Sequence, residues 1–280
     1  MVHYLLKEQD VSFRSLFYLK YSLIFGEDKQ TTAGAFFCQA IKEELEVDVA
    51  IINGATIKGN KKKYVDNKMS YSQLKNELPF PTKIVVVPMT KCQLLDAIHY
   101  SRTTFNENGD TSISANDFDV NIPRKGYLQV DFDFNNYMTN CHDTSDENKL
   151  LQVALPRNLM SGFCNIQPLI KIGKDLKQKN QYPSSDNFIP ALDLVTRYCC
   201  KAKWMNIVKH FTFSDFDINS DGVLDHSEIK LMLEKFLGHE PSDFVVDDMI
   251  QCIDEDENGM IDIKEFSHVV AKMERNKWKR

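Results

Sequence analysis

Two acidic stretches near the C-terminus restrict this chain more than any other part of it. The first runs from Asp217 to Glu228 and the second from Asp254 to Glu265. Both follow the pattern D-x-[DN]-x-[DN]-G-x5-E without a mismatch. The pattern places an oxygen-bearing side chain at every second position around a glycine. That is the spacing a short loop needs to wrap a hard cation taking about 6–8 oxygen ligands at roughly 2.3–2.6 Å. Calcium is the ion that fits. The first loop offers Asp217, Asn219, Asp221, the Val223 carbonyl, Asp225 and Glu228. The second offers Asp254, Asp256, Asn258, the Met260 carbonyl, Asp262 and Glu265. The closing glutamate of each is expected to bind through both carboxylate oxygens, and Gly222 and Gly259 supply the bend.

The separation of the loops leaves room for one outgoing and one incoming helix. Leu224 and Ile261 occupy the same position in each, which predicts a short strand contact between them. This is the arrangement of an EF-hand pair, and it resembles that family over residues 192–280 with two calcium sites. An acidic loop without metal affinity is the plain alternative. Helices are expected over 192–213, 227–237, 242–253 and 263–273. Phe211, Phe236, Phe244, Met249, Ile250, Phe266, Val269 and Val270 then either line a groove for a target protein or form the pair's own core.

Charge follows the same division. Residues 192–280 hold 18 Asp/Glu and 12 Lys/Arg, so the whole formal charge of −6 lies there and the preceding segment is neutral. Two bound calcium ions would offset most of the repulsion among those carboxylates. A nucleic-acid partner would need a clustered basic face, which is absent. Seven cysteines, with no C-x-x-C, indicate neither a disulfide framework nor a zinc site. No run is long and apolar enough for a membrane span. The apolar stretch around residues 11–25 is cut by Arg14 and Lys20 and makes a poor signal peptide, so a cytoplasmic location is expected.

Upstream, residues 1–25 form an apolar lead-in. A helix is expected from Thr32 to Glu46, capped by Thr31 or Thr32, then a buried strand over 48–53 ending at Asn53-Gly54. Lys61-Lys62-Lys63 is either an anion site or a solvated turn. Ser70 starts a helix that Leu78-Pro79-Phe80-Pro81 ends, and residues 83–89 form a second buried strand. Thr90 and Gln93 make a capping box for the next helix. Tyr127–Phe134 alternates like a half-buried strand, and residues 149–155 give another. His142 and Asp143 sit together in an acidic loop. Residues 176–191 turn to Lys, Gln, Asn, Ser and Pro, a linker composition.

Within residues 26–175, five blocks in order resemble the C-terminal domain of the 5′-nucleotidase family. They are Asp48-Val-Ala-Ile-Ile-Asn-Gly-Ala-Thr-Ile-Lys58 with Met69-Ser-Tyr71 and Leu78-Pro-Phe80, Ile84-Val-Val-Val, Leu94–Ser101, Gly126–Val130 and Gln152–Pro156. The resemblance implies an α/β domain joined to an all-α EF-hand pair, α+β overall. It further implies that Asn53 and Phe80 help hold the ribose and base of a nucleoside or nucleotide. The family's arginine after the Gly-rich turn is Lys58 here, which keeps the charge and loses the bidentate fork. Its upstream Arg and Glu fall near Glu27 and Gln30, and Phe163 stands nearest its second stacking Phe. A turn residue and a core aromatic are the plain alternatives for Asn53 and Phe80.

The family's catalytic metallophosphatase half has Asp-x-His, Gly-Asn-His-Asp/Glu and Gly-His-x-His ligands, and none occurs in this sequence. Two-metal hydrolysis needs them. No catalytic residue is assigned. The expected function is therefore calcium binding, as a sensor, interaction module or buffer, attached to a nucleotidase-like substrate-binding domain. The alternative is a fragment of a calcium-regulated 5′-nucleotidase-like hydrolase of nucleotide catabolism.

Overall fold

The run Val49-Ala-Ile-Ile-Asn53 has no polar side chain before its last residue, and it forms a strand buried along its whole length (β1). The computed structural model describes residues 17–18, 29–58, 68–69, 71–105, 111–112, 126–140 and 148–277. They divide into two units. One holds the described residues among 21–63 and 75–195, and the other those among 1–20, 64–74 and 196–280. The Lys61–Lys63 run, Ser70, and the His142/Asp143 pair lie outside the described residues.

In the first unit, helix α1 (Thr32–Leu45) starts at Thr31, whose Oγ1 accepts the Gly34 N–H at 2.9 Å. It leads into β1. Helix α2 (Tyr71–Glu77) spans the division between the units and precedes the proline break. Strand β2 (Lys83–Thr90) follows, then α3 (Lys91–Arg102), β3 (Leu128–Val130), α4 (Phe132–Asn140), β4 (Leu150–Pro156), α5 (Gln167–Gln178) and β5 (Ile189–Pro190). The five strands form one sheet in the order β3-β1-β4-β2-β5. The central pair β1–β4 is parallel, Val49 facing Val153 and Ala50 facing Ala154, and the other pairings are antiparallel. One face packs Val49, Ile51, Val87, Leu128, Val153 and Leu155 against Leu94 and Ile98 of α3 and Leu169 and Ile172 of α5. Helix α1 packs on β1, β3 and α4, burying Phe37 and Ile41.

Thr90 and Gln93 form the reciprocal capping box at the head of α3. Thr90 Oγ1 accepts the Gln93 N–H at 3.2 Å, and Gln93 Oε1 accepts the Thr90 N–H at 2.9 Å. Thr90→Ala is expected to cost about 1 kcal/mol in denaturant unfolding, the usual worth of an N-cap.

In the first unit, two expectations give way. The alternating run Tyr127–Phe134 is a strand only as far as Val130, and α4 begins at Phe132. The cause is Asp131, wholly buried between them. Its Oδ1 accepts the Phe134 N–H at 2.9 Å as a helix cap, while Oδ2 accepts the Ala50 N–H at 3.1 Å and so ends the ladder with β1. Residues 176–191, of linker composition, carry the end of α5 and strand β5, whose Ile189 and Pro190 pair with Ile84 and Lys83.

The second unit contains the two acidic loops. Helix α6 (Ala191–Ile207) begins in the first unit and enters the second at Thr196; expected to run on to Phe213, it stops at Ile207. Thr212 opens a separate 3-10 turn over Phe213–Asp215, with its N–H and Oγ1 both donating to Asp215 Oδ2 at 2.6 and 2.7 Å. Then come β6 (Val223–Leu224), α7 (His226–Leu237), α8 (Asp243–Gln251), β7 (Ile261–Asp262) and α9 (Ile263–Lys277). Among the described residues, no helix is long and apolar enough to cross a membrane.

Candidate metal centre

Each loop ties its carboxylates to its own backbone N–H groups, which fixes where their oxygens lie. In the first, Asp217 Oδ1 and Oδ2 accept the N–H groups of Asp221 and Gly222, each at 3.1 Å. Asn219 Oδ1 accepts the Asp221 N–H at 3.0 Å, and Asp221 Oδ1 accepts the Val223 N–H at 3.0 Å. Glu228, buried, spans the loop: Oε1 accepts the Ile218 N–H at 2.9 Å and Oε2 the Asp225 N–H at 3.1 Å. Asp225 Oδ1 takes the Glu228 N–H at 2.9 Å, which caps α7.

The second loop repeats the scheme. Asp254 Oδ2 accepts the Gly259 N–H at 2.8 Å, Asp256 Oδ1 the Asn258 N–H at 3.2 Å, and Asn258 Oδ1 the Met260 N–H at 2.8 Å. Glu265 spans it, accepting the N–H of Glu255 at 2.6 Å and of Asp262 at 2.9 Å. Asp262 Oδ1 accepts the Glu265 N–H at 2.8 Å. Among the described residues, one group of acidic side chains brings its ligand atoms within 4.8 Å of one another: Asp254, Asp256 and Glu265.

Gly222 and Gly259 have φ of 87° and 80°, a region that resists a Cβ. A Cβ built at either meets nothing within 4 Å, so the backbone angle, not crowding, selects glycine. Ser220 and Glu257, at the fourth position of each loop, hold φ of 59° and 58° and carry the same bend with side chains attached. Leu224 pairs with Ile261 and Val223 with Asp262 in an antiparallel ladder, and Leu224 and Ile261 are fully buried. The donors are hard oxygens throughout, the set calcium takes.

Of the residues expected to line a groove, Met249, Ile250, Phe266 and Val269 are buried and Phe244 is exposed. Two residues of the interior carry no loop signature and escape sequence reasoning. Phe213 meets Phe266 edge-on with centroids 5.7 Å apart, and Trp204, fully buried, meets it at 6.3 Å. The helical stripe Trp204, Ile207, Phe211 is the signal in the sequence that points to the tryptophan.

In the first unit the expected nucleoside residues fall into two pairs. Lys58 places its ammonium 5.1 Å from the Phe80 ring centroid, and Phe80 is half exposed. Asn53 is buried at the end of β1, and its amide donates to Cys164 Sγ at 2.8 Å. Among the described residues, the buried Asn53 Oδ1 has no hydrogen-bond partner. A Cβ on Gly126 would lie 2.4 Å from that oxygen, so glycine is required there. Cys164, at φ 64°, stands beside the exposed Phe163. Burial pushes the Cys164 thiol up to about 11, with the Asn53 hydrogen bond opposing, so it stays protonated at neutral pH. Gln30 is engaged with β3: its amide donates to the Val130 carbonyl at 3.0 Å and its Oε1 accepts the Val130 N–H at 3.2 Å. Glu27 lies outside the described residues.

Comparison with known proteins bears on both units. Residues 22–144 match the family model of the 5′-nucleotidase C-terminal domain, and residues 209–271 match that of an EF-hand domain pair. These are the two families, in the order, that the sequence resembles. A 60-residue stretch, 21% of this chain, is 42% identical to a putative calmodulin-like protein of Oryza sativa subsp. japonica and covers 35% of it. Among solved structures, a 5′-nucleotidase precursor from Thermus thermophilus aligns with a TM-score of 0.46 at 12% identity, over 72% of this chain and 39% of that one. An NAD nucleotidase from Haemophilus influenzae aligns with a TM-score of 0.39 at 15% identity, over 68% of this chain and 35% of that one. The chain thus spans little more than a third of the length of these relatives.

Proposed function

We propose that this chain binds two calcium ions, one in each acidic loop, and that its first unit is a nucleoside-recognising domain without catalytic machinery of its own. The observation that carries the reading is the pair of spanning glutamates. Glu228 and Glu265 each sit buried across a loop with both carboxylate oxygens directed onto its backbone. Asp217, Asn219, Asp221, the Val223 carbonyl, Asp225 and Glu228 would hold one ion. Asp254, Asp256, Asn258, the Met260 carbonyl, Asp262 and Glu265 would hold the other. Bound calcium would supply the positive charge that offsets the carboxylates, and the chain's part is to fix their positions in advance. Calorimetry of the full chain is expected to give two calcium ions per chain. Glu228→Gln and Glu265→Gln are each expected to leave one, because neutralising the closing ligand weakens a site by on the order of a hundredfold. A wild-type stoichiometry below two overturns the reading.

For the first unit, Phe80 offers an exposed ring and Lys58 a cation beside it. A base stacked on an aromatic face gains about 1–3 kcal/mol. Phe80→Ala is therefore expected to weaken binding of adenosine monophosphate by about 5- to 150-fold in equilibrium dialysis. The second reading, a portion of a calcium-regulated 5′-nucleotidase-like hydrolase, is supported by the match of residues 22–144 to that family's C-terminal domain. Phosphate release from nucleoside monophosphates by the purified chain, with divalent metals present, is expected to stay at the blank. Turnover would overturn the absence of catalysis.

A further inference from the structure

The second acidic loop is flanked by α8 on its incoming side and α9 on its outgoing side. One side chain from outside both helices touches each of them. The Trp204 indole N–H donates to the Met249 carbonyl of α8 at 2.7 Å. Its ring meets Phe266 of α9 edge-on, with an interplanar angle of 84°. Phe266 directly follows the loop's closing ligand, Glu265, and Met249 lies one turn before the loop's first, Asp254.

The Met249 carbonyl belongs to the last turn of α8, where carbonyls run out of helical partners. The Ile253 N–H, its ordinary i+4 donor, turns instead to the Ile250 carbonyl at 3.0 Å. The Cys252 thiol and the Trp204 indole satisfy Met249 in its place. Trp204 is wholly buried, as is Met249, and Phe266 is nearly so. The indole therefore caps one helix and packs on the other, and it holds both ends of the loop at a fixed separation.

We propose that Trp204 is a clamp that resists separation of α8 and α9 and so sets the calcium affinity of this hand. Paired hands of the sensor type swing their two helices apart on metal binding by about 40°. Helices α8 and α9 cannot separate without breaking either the indole–Met249 hydrogen bond or the ring contact with Phe266. A ligand that prefers the open hand works against the clamp, and its apparent affinity falls by the fraction of hands held shut. Trp204 thus acts through the loop's flanking helices as a positioning residue and touches no ion.

The test rests on calcium binding by the second loop and separates the two ideas. In the full chain carrying Glu228→Gln, only the second loop remains competent. Adding Trp204→Phe keeps an aromatic ring against Phe266 and removes the N–H. Calorimetry is expected to show calcium affinity rising about two- to tenfold, the worth of one neutral hydrogen bond. Phe266→Leu, which slackens the other contact, is expected to shift affinity in the same direction. Unchanged or weaker affinity in folded variants, checked by circular dichroism, overturns the clamp. No calcium heat from the Glu228→Gln chain with Trp204 intact overturns the metal reading itself.

A second readout uses the indole directly. The chain has two tryptophans, so Trp278→Phe leaves Trp204 as the sole emitter. Its emission is expected to move to the red on adding calcium and to stay fixed in the Glu265→Gln chain. A shift that persists in Glu265→Gln, or none in the parent, also overturns the clamp.

Discussion

Saturating calcium is expected to raise the melting temperature of the unit containing the acidic loops by about 10–20 °C for each site filled. An ion present at about a hundred times its dissociation constant, and binding only the folded chain, stabilises it by roughly 2.7 kcal/mol. For a domain of about 60–100 residues each kcal/mol moves the midpoint by about 4–8 °C. The effect is large here because the metal-free loops hold many like charges close together. Residues 254–257 alone are four consecutive acids, and calcium removes repulsion as well as adding bonds. Scanning calorimetry of the full chain with calcium and then with a chelator would show one transition moving and another staying. A chain carrying both Glu228→Gln and Glu265→Gln should show no shift. A shift of the same size in that double variant would mean the ion acts elsewhere.

Asp131→Ala is expected to destabilise the first unit by about 2–4 kcal/mol. Three groups depend on that carboxylate: the Phe134 N–H at the head of α4, the Ala50 N–H at the edge of β1, and the Lys42 ammonium at 3.2 Å. Losing the cap costs about 1 kcal/mol, and leaving a buried donor such as the Ala50 N–H unpaired costs about 1–3 kcal/mol. Lys42 keeps Asp133 at 2.7 Å, so its charge is not stranded. Asp131→Asn, which still offers an acceptor, should cost less than the alanine variant. Urea unfolding measures both, and an alanine variant within about 0.5 kcal/mol of wild type would remove Asp131 as the organiser of this corner.

What the sequence discloses and what it conceals follow from the range of the interactions. The acidic loops are legible because every ligand lies within one short segment and the ion's geometry dictates the spacing. The Thr90–Gln93 box is legible for the same reason: both partners are three residues apart. Asp131 is not. In sequence it is one polar residue in an alternating run, and only β1, 81 residues earlier at Ala50, turns it into a strand end and a helix cap. The helix expected to reach Phe213 stops early because Thr212 and Asp215 form a competing turn, a local signal weaker than the apolar stripe that masks it. Asn53 is legible only through its family position, and its actual neighbour Cys164 is 111 residues away. Trp204 finds its acceptor 45 residues downstream. No local pattern announces either of these distant partners.

The parallel contact between β1 and β4 governs when this chain acquires its shape. Val49 and Ala50 meet Val153 and Ala154, so the middle of the sheet stays open until about a hundred further residues have left the ribosome. Until then β1, buried on both faces in the finished sheet, has an uncovered edge and is a site for wrong pairing. The two acidic loops meet across a far shorter stretch of chain and so close quickly once synthesised. During synthesis the segment made first is thus the one that waits, and it is there that a chaperone would have most to shield.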